Sequence, residues 1–178
     1  MQGEIVNKVA QSQLITLDLA DFYPKGERIL LDITDQLFMG QVLREKDFRA
    51  FIETNNWNQF QDKHVAVTCT ADAIVPVWAY MLLATVLQPV ALSLVFGNLE
   101  SLENELFRKA IAEKINPEEF RNRKIVIKGC GDVQIPVSAF VEITRILRPV
   151  ADKIMYGEPC STVPVFKKPA QTKLAINS

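Results

Sequence analysis

The chain contains a repeat of itself, and that repeat limits what it can fold into more than any other feature. Residues 72–91 read DAIVPVWAYMLLATVLQPVA, and residues 132–151, sixty positions later, read DVQIPVSAFVEITRILRPVA. Eight of the twenty positions are identical: Asp72/Asp132, Pro76/Pro136, Val77/Val137, Ala79/Ala139, Leu87/Leu147, Pro89/Pro149, Val90/Val150 and Ala91/Ala151. Ordinary composition gives about one match by chance. Downstream the register holds at Phe96-Gly97 and Tyr156-Gly157. Upstream, KHVAVTC (63–69) faces KIVIKGC (124–130) at an offset of sixty-one. Self-similarity of this kind marks a structural unit used twice.

Each copy reads strand, cysteine, Asp, Pro, helix, Pro, strand, Gly. The run ending at Cys69 is β-branched and apolar, as suits a buried parallel strand. Asp72 and Asp132 precede Pro76 and Pro136, a pattern that predicts helix starts with the aspartates as caps. Val77–Leu87 is apolar nearly all round, so this helix is expected in the core or at an interface. Pro89 stops it. Residues 90–96 form a strand, and their counterpart at 150–156 is read as a strand rather than as a prolonged helix. The expected fold is therefore α/β, a mostly parallel sheet built from two repeated βαβ units (63–97 and 124–157). Strands at Leu14–Leu19 and Arg28–Ile33 flank Tyr23-Pro24-Lys25-Gly26 and predict an N-terminal β-hairpin, followed by a helix over Glu45–Thr54. An amphipathic helix is expected over 99–115 and one further turn at Glu118–Arg121. The whole reads as a single domain over 1–166 with a loose tail at 167–178.

Composition then removes function classes. Twenty basic and 21 acidic residues leave a net charge of −1, which argues against a nucleic-acid binder or a basic membrane-surface protein. The longest apolar run, Ile74–Leu87, is shorter than the ~18 residues a membrane span needs and is broken by Pro76. The start Met1-Gln2-Gly3-Glu4 has no basic, apolar leader pattern. A cytoplasmic protein with reduced thiols is expected.

The chain has three cysteines and one histidine. If the two copies share one sheet in the order 90s–60s–120s–150s, Cys69 and Cys130 end neighbouring central strands ~4.8 Å apart. Cys160, after Gly157, leaves from the same edge. The carboxyl edge of a parallel sheet is where ligands bind, and helix N-termini there favour thiolates. Three thiolates suit zinc or an iron–sulfur centre, with Asp72, Asp132 and Glu158 as candidates for a fourth ligand or for support. Each cysteine taken alone is as readily core packing. A second reading makes one cysteine a nucleophile or sulfur carrier, Cys130 first because Gly129 and Gly131 leave it accessible. A third is a non-catalytic module that dimerises through the apolar helix 77–87. His64 begins the strand whose end carries Cys69, ~16 Å away, so it is read as structural. Trp78 and Tyr80 are read as core or dimer contacts, and Lys128–Asp132 as a glycine-flanked turn able to hold an anion.

The segments GEIVNKVA (3–10), YPKGER (23–28), LREKDFR (43–49), ADAIVP and WAYMLL (71–76 and 78–83), IKGCGD (127–132) and YGEPCSTVP (156–164) resemble a bacterial family known as domain of unknown function 2480. The resemblance covers nearly the whole chain. It implies that all three cysteines belong to the family pattern. It also implies a link to iron–sulfur cluster assembly, beside whose genes the family tends to lie. It implies no reaction.

Overall fold

The structure is a computed structural model that describes residues 14–129, 131, 133–158 and 160–169. Within the span read as one domain, the chain clusters into two compact units, Pro24–Lys109 and a unit formed by the residues up to Tyr23 and from Ala110 on.

The Pro24–Lys109 unit holds a three-stranded parallel sheet in the order β2-β3-β4, formed by β2 (Arg28–Asp32), β3 (His64–Thr68) and β4 (Ser93–Phe96). Helix α1 (Glu45–Thr54) links the first pair and α2 (Val77–Leu87) the second. Period-2 alternation along β3 sends Val65 and Val67 to one core, with Phe48 of α1 and Ala79, Leu83 and Leu87 of α2. Ala66 faces the other way, against Leu102 and Leu106 of α3 (Leu99–Lys114). Arg28 of β2 reaches α3 as well, in an ion pair with Glu103.

The other unit holds a four-stranded sheet in the order β1-β5-β6-β7, formed by β1 (Leu14–Asp18), β5 (Lys124–Lys128), β6 (Lys153–Glu158) and β7 (Ser161–Lys167). Its first three strands are parallel and β7 returns antiparallel on β6. Helix α4 (Val137–Leu147) links β5 to β6 and buries Ala139, Ile143 and Leu147. The segment 150–156 contributes a strand, as the first copy suggests. The final extended stretch is a paired strand through Lys167, and the loose tail beyond Pro169 lies outside the described residues.

Two expectations are corrected. The N-terminal strands form, but not as a hairpin: β1 pairs in parallel with β5, and β2 with β3. Between them the chain spends Leu19–Phe22 on a 3-10 turn capped by Asp18, whose carboxylate accepts from the Ala20 N–H. The single sheet with Cys69 and Cys130 on neighbouring strands is also absent. The edge of β3 that would meet β5 is taken by β2, and the edge of β5 that would meet β3 is taken by β1.

The register of the repeat is sharper than the sequence suggests. Asn56 and Asn116 each cap a 3-10 turn, Phe60 and Phe120 are buried, and Asp62 and Asn122 both have φ 57. The pairings His64↔Ser93 and Lys124↔Lys153 repeat with the same spacing. The offset is sixty throughout, so Cys69 is equivalent to Gly129, and Cys130 to Thr70. The expected equivalence of the two cysteines is lost.

Candidate functional site at the carboxyl edges of the sheets

In the Pro24–Lys109 unit, β2 ends in Asp32 and β3 runs on into Cys69 and Thr70. The Asp32 carboxylate accepts from the Thr34 N–H at 2.9 Å, the Thr34 hydroxyl at 2.7 Å, the Thr70 N–H at 3.2 Å and the Thr70 hydroxyl. Burial pushes this carboxyl up, but the donors of Thr70 and Thr34 outweigh it and hold it at about 2. The Cys69 thiol is half-buried, with its Sγ 3.8 Å from the Thr34 hydroxyl. Tyr80 of α2 packs edge-on to Phe96 at 4.9 Å. Its phenol is pushed up by burial and by the charges of Cys69 and Asp32, so it stays protonated at neutral pH. None of Asp32, Thr34 or Thr70 stands out from composition. The available signal is the doublet Leu-Asp closing both N-terminal strands (17–18 and 31–32).

In the other unit the equivalent positions differ. Asp18 ends β1 and pairs with Lys128 at 2.9 Å. That bond holds the Asp18 carboxyl below its ordinary value and raises the Lys128 ammonium, with Glu158 adding to the rise. Gly129 stands where Cys69 does, and a Cβ there would lie 2.6 Å from the Phe140 ring. Phe140 itself replaces Tyr80, and Tyr156 replaces Phe96, as a second edge-on pair at 5.7 Å.

The expected metal ligands are distributed as follows. Cys69 belongs to the three-stranded sheet. Cys160 is exposed in the turn between β6 and β7. Cys130 and Asp132 lie outside the described residues, but Gly129 directly follows β5. Since β5 and β6 run parallel with Ile127 level with Tyr156, both β5 and the β6–β7 turn emerge at one edge of one sheet. Glu158 closes β6 there. Asp72 is exposed and caps nothing: α2 and α4 begin at Pro76 and Pro136 with no side-chain cap. Three residues separate Asp72 from Pro76, so Asp72 does not stand at the N-cap position of α2. Among the described residues, no three His, Cys, Asp or Glu side chains converge as a metal site would require.

His64 is buried and doubly bonded, through Nδ1 to the Ser93 hydroxyl at 2.8 Å and through Nε2 to the Lys25 carbonyl at 2.9 Å. It anchors β2, β3 and β4 at their amino ends. No helix is long and apolar enough to cross a membrane among the described residues. No curated protein and no solved structure matches the chain. A family model described as a protein of unknown function (DUF2480) matches residues 3–168.

Proposed function

We propose, for a chain that belongs to the DUF2480 family of proteins of unknown function, that its cysteines handle a soft metal, either zinc or an iron–sulfur centre. The observation that supports this is the shared edge of the four-stranded sheet, where β5 ends directly before Gly129 and β6 runs into the turn that carries Cys160. Cys130 and Cys160 are the first two ligands and Glu158 a candidate third; Cys69 follows β3 in the other sheet and is not counted among them. Sulfur donors suit zinc or iron–sulfur chemistry. An accessory role in iron–sulfur cluster handling, in a bacterial cytoplasm, fits the same ligands. The two parallel units, β3-α2-β4 and β5-α4-β6, are then copies of one βαβ module, of which only one keeps a cysteine-bearing edge on both of its outer turns.

Elemental analysis of protein purified without oxygen, with a visible absorption spectrum, tests this reading. Metal bound in stoichiometric amount and lost on replacing Cys130 or Cys160 by Ser supports it. Retention of metal by all three single Cys→Ser variants ends it.

The exposure of Cys160 favours a second reading, a thiol that carries sulfur or attacks a substrate, with Cys130 as the partner or the nucleophile. Alkylation against pH separates the two: a carrier thiol reacts well below the ordinary ~8.5 in metal-free protein. A homodimer through helix 77–87 belongs to the proposal as well, because Val77 and Met81 are exposed on α2. Sedimentation of wild type and Met81→Asp measures it.

A further inference from the structure

The two sheets differ at one edge. In the four-stranded sheet β7 lies antiparallel on the outer side of β6. In the three-stranded sheet β4 is the last strand, and among the described residues no strand pairs with its outer edge. Burial follows this difference. Ile154 and Met155 of β6 are 0% and 7% exposed. Leu94 and Val95, sixty residues earlier, are only half-buried, and Phe96 is 68% exposed against 45% for Tyr156. The edge also lacks the charges and prolines that keep edge strands apart. Ser93–Phe96 holds neither, whereas β2 carries Arg28 and Asp32, and β7 carries Pro164 and Lys167.

The ladder shows which backbone groups of β4 are open. The Gly97 N–H donates to the Val67 carbonyl at 2.9 Å, and Val67 is level with Phe96. Bonding residues alternate along a parallel ladder, so Val95 turns its N–H and C=O to β3. Leu94 and Phe96 turn theirs outward. An antiparallel β4 of a second copy satisfies them if Leu94 faces Phe96 of that copy and Val95 faces its own equivalent. Each Leu94–Phe96 pair then exchanges both of its N–H···O=C bonds, and opposed side chains stay on the same sheet face.

Helix α2 favours a second copy over a lone strand. Trp78 meets Phe48 of α1 on one side of α2, and Tyr80 meets Phe96 of β4 on the other. Val77 and Met81 stand next to Tyr80 on the helix surface and are exposed. In the four-stranded unit the matching residues of α4, Val137, Phe140 and Val141, form an apolar cavity of about 550 Å3 with Val165 of β7. This helix face therefore overlooks the place of an added strand. A strand alone does not cover it, since Val137 and Val141 stay 77% and 64% exposed beside β7. A second copy brings its own α2 as well. Helix α2 packs over β3 and β4. With strands ~4.8 Å apart, the two α2 helices then lie ~10 Å from each other, the ordinary separation of packed helices.

We propose that the Pro24–Lys109 unit pairs with that of a second copy, β4 on antiparallel β4, joining the two sheets into one with both α2 helices on the same face. This rests on the reading of helix 77–87 as a dimer contact and adds the strand edge that fixes its geometry. Sedimentation of the full-length chain, beside amide exchange followed by NMR, tests it. Wild type is expected to be a dimer that Met81→Asp weakens at least about tenfold. The Leu94 and Phe96 amides exchange at least about tenfold more slowly in wild type than in Met81→Asp, while the Val95 amide is protected in both. Phe96→Pro removes an outward N–H and no bond to β3, and it weakens association by a similar factor. Should Phe96→Pro lose its circular dichroism spectrum, Phe96→Lys takes its place. A dimer that the Phe96 variant leaves intact, or one in which the Leu94 and Phe96 amides exchange as fast as in Met81→Asp, overturns the strand pairing and leaves the helix contact standing. A Met81→Asp chain that associates like wild type overturns the packing of the two α2 helices and with it the proposal. A monomeric wild type overturns both pairing and helix contact; if its two amides are protected, a strand of the same chain holds the edge instead.

Discussion

At the scale of single residues, Asp32 does more for this structure than its type suggests. One carboxylate accepts four hydrogen bonds from two threonines and so ties the end of β2 to the turn after β3. Replacing Asp32 by Ala leaves those donors unpaired and should lower unfolding free energy by about 1.5–3 kcal/mol, the range for hydrogen bonds to a charged group, as read from urea midpoints. The same bond set has a pH signature. A carboxyl held at about 2 against an ordinary 3.8 contributes stability that is fully present above the ordinary value. That stability is lost as pH falls through the window between 3.8 and 2. Asp32→Asn removes this share of the acid sensitivity, and a pH series of thermal unfolding checks it. Gly26 is the second such residue. Its φ is +132°, and a Cβ there would lie 2.9 Å from the His64 ring, so Gly26→Ala should destabilise by about 1–3 kcal/mol. A melting temperature equal to the wild type contradicts the close approach. The sequence reading, which took Gly26 as a turn residue only, could not foresee this contact, because His64 is far away in the chain.

At the scale of elements, the repeat made strands and helices legible and misled on pairing. The apolar spacing of Val77–Leu87 was enough to identify α2. Its near-uniform hydrophobicity concealed that only Ala79, Leu83 and Leu87 are buried, while Val77 and Met81 are exposed. Leu83→Ala should therefore cost about 2–5 kcal/mol and Val77→Ser less than about 0.5 kcal/mol in denaturant titrations of the monomeric chain. The hairpin failed for a different reason. Strand propensity identifies Leu14–Asp18 and Arg28–Asp32, yet partner choice depends on which strand edges are left over once the repeat units form. The sequence offers no local sign of that. The offset of sixty-one, drawn from matching cysteines, failed because a shared residue type outweighed the shared backbone. The φ of 57 at both Asp62 and Asn122 and the two asparagine caps fix the offset at sixty.

At the scale of the whole molecule, each of the two units holds a mostly parallel sheet, and the residues near the carboxyl edges of the two sheets differ. In one, the sheet edge carries Cys69, Tyr80, Asp32 and two threonines. In the other, the equivalent places hold Gly129, Phe140 and an Asp18–Lys128 ion pair, β7 is added, and an apolar cavity results. Membership of the DUF2480 family over residues 3–168 covers both units, so both belong to the family's common architecture. The candidate site was legible in the sequence only in part. Cys160 lies in the turn after β6, a position that the strand and glycine before it make readable, whereas Cys69 follows a strand of the other sheet. The neighbour relation between Cys69 and Cys130 was not legible, because it depended on a sheet order that β1 and β2 displace.

The central claim, that the cysteines hold a soft metal, rests most directly on the metal content of protein purified without oxygen, determined beside its visible spectrum for wild type, Cys69→Ser, Cys130→Ser and Cys160→Ser. The account predicts bound zinc, or iron with a coloured chromophore, near one site per chain in the wild type. It predicts a loss of about tenfold or more in Cys130→Ser and Cys160→Ser, since changes even to the partners of metal ligands cost about 10–100-fold, and the wild-type content in Cys69→Ser. Wild-type protein without zinc or iron, or three variants that all keep the wild-type content, would contradict it.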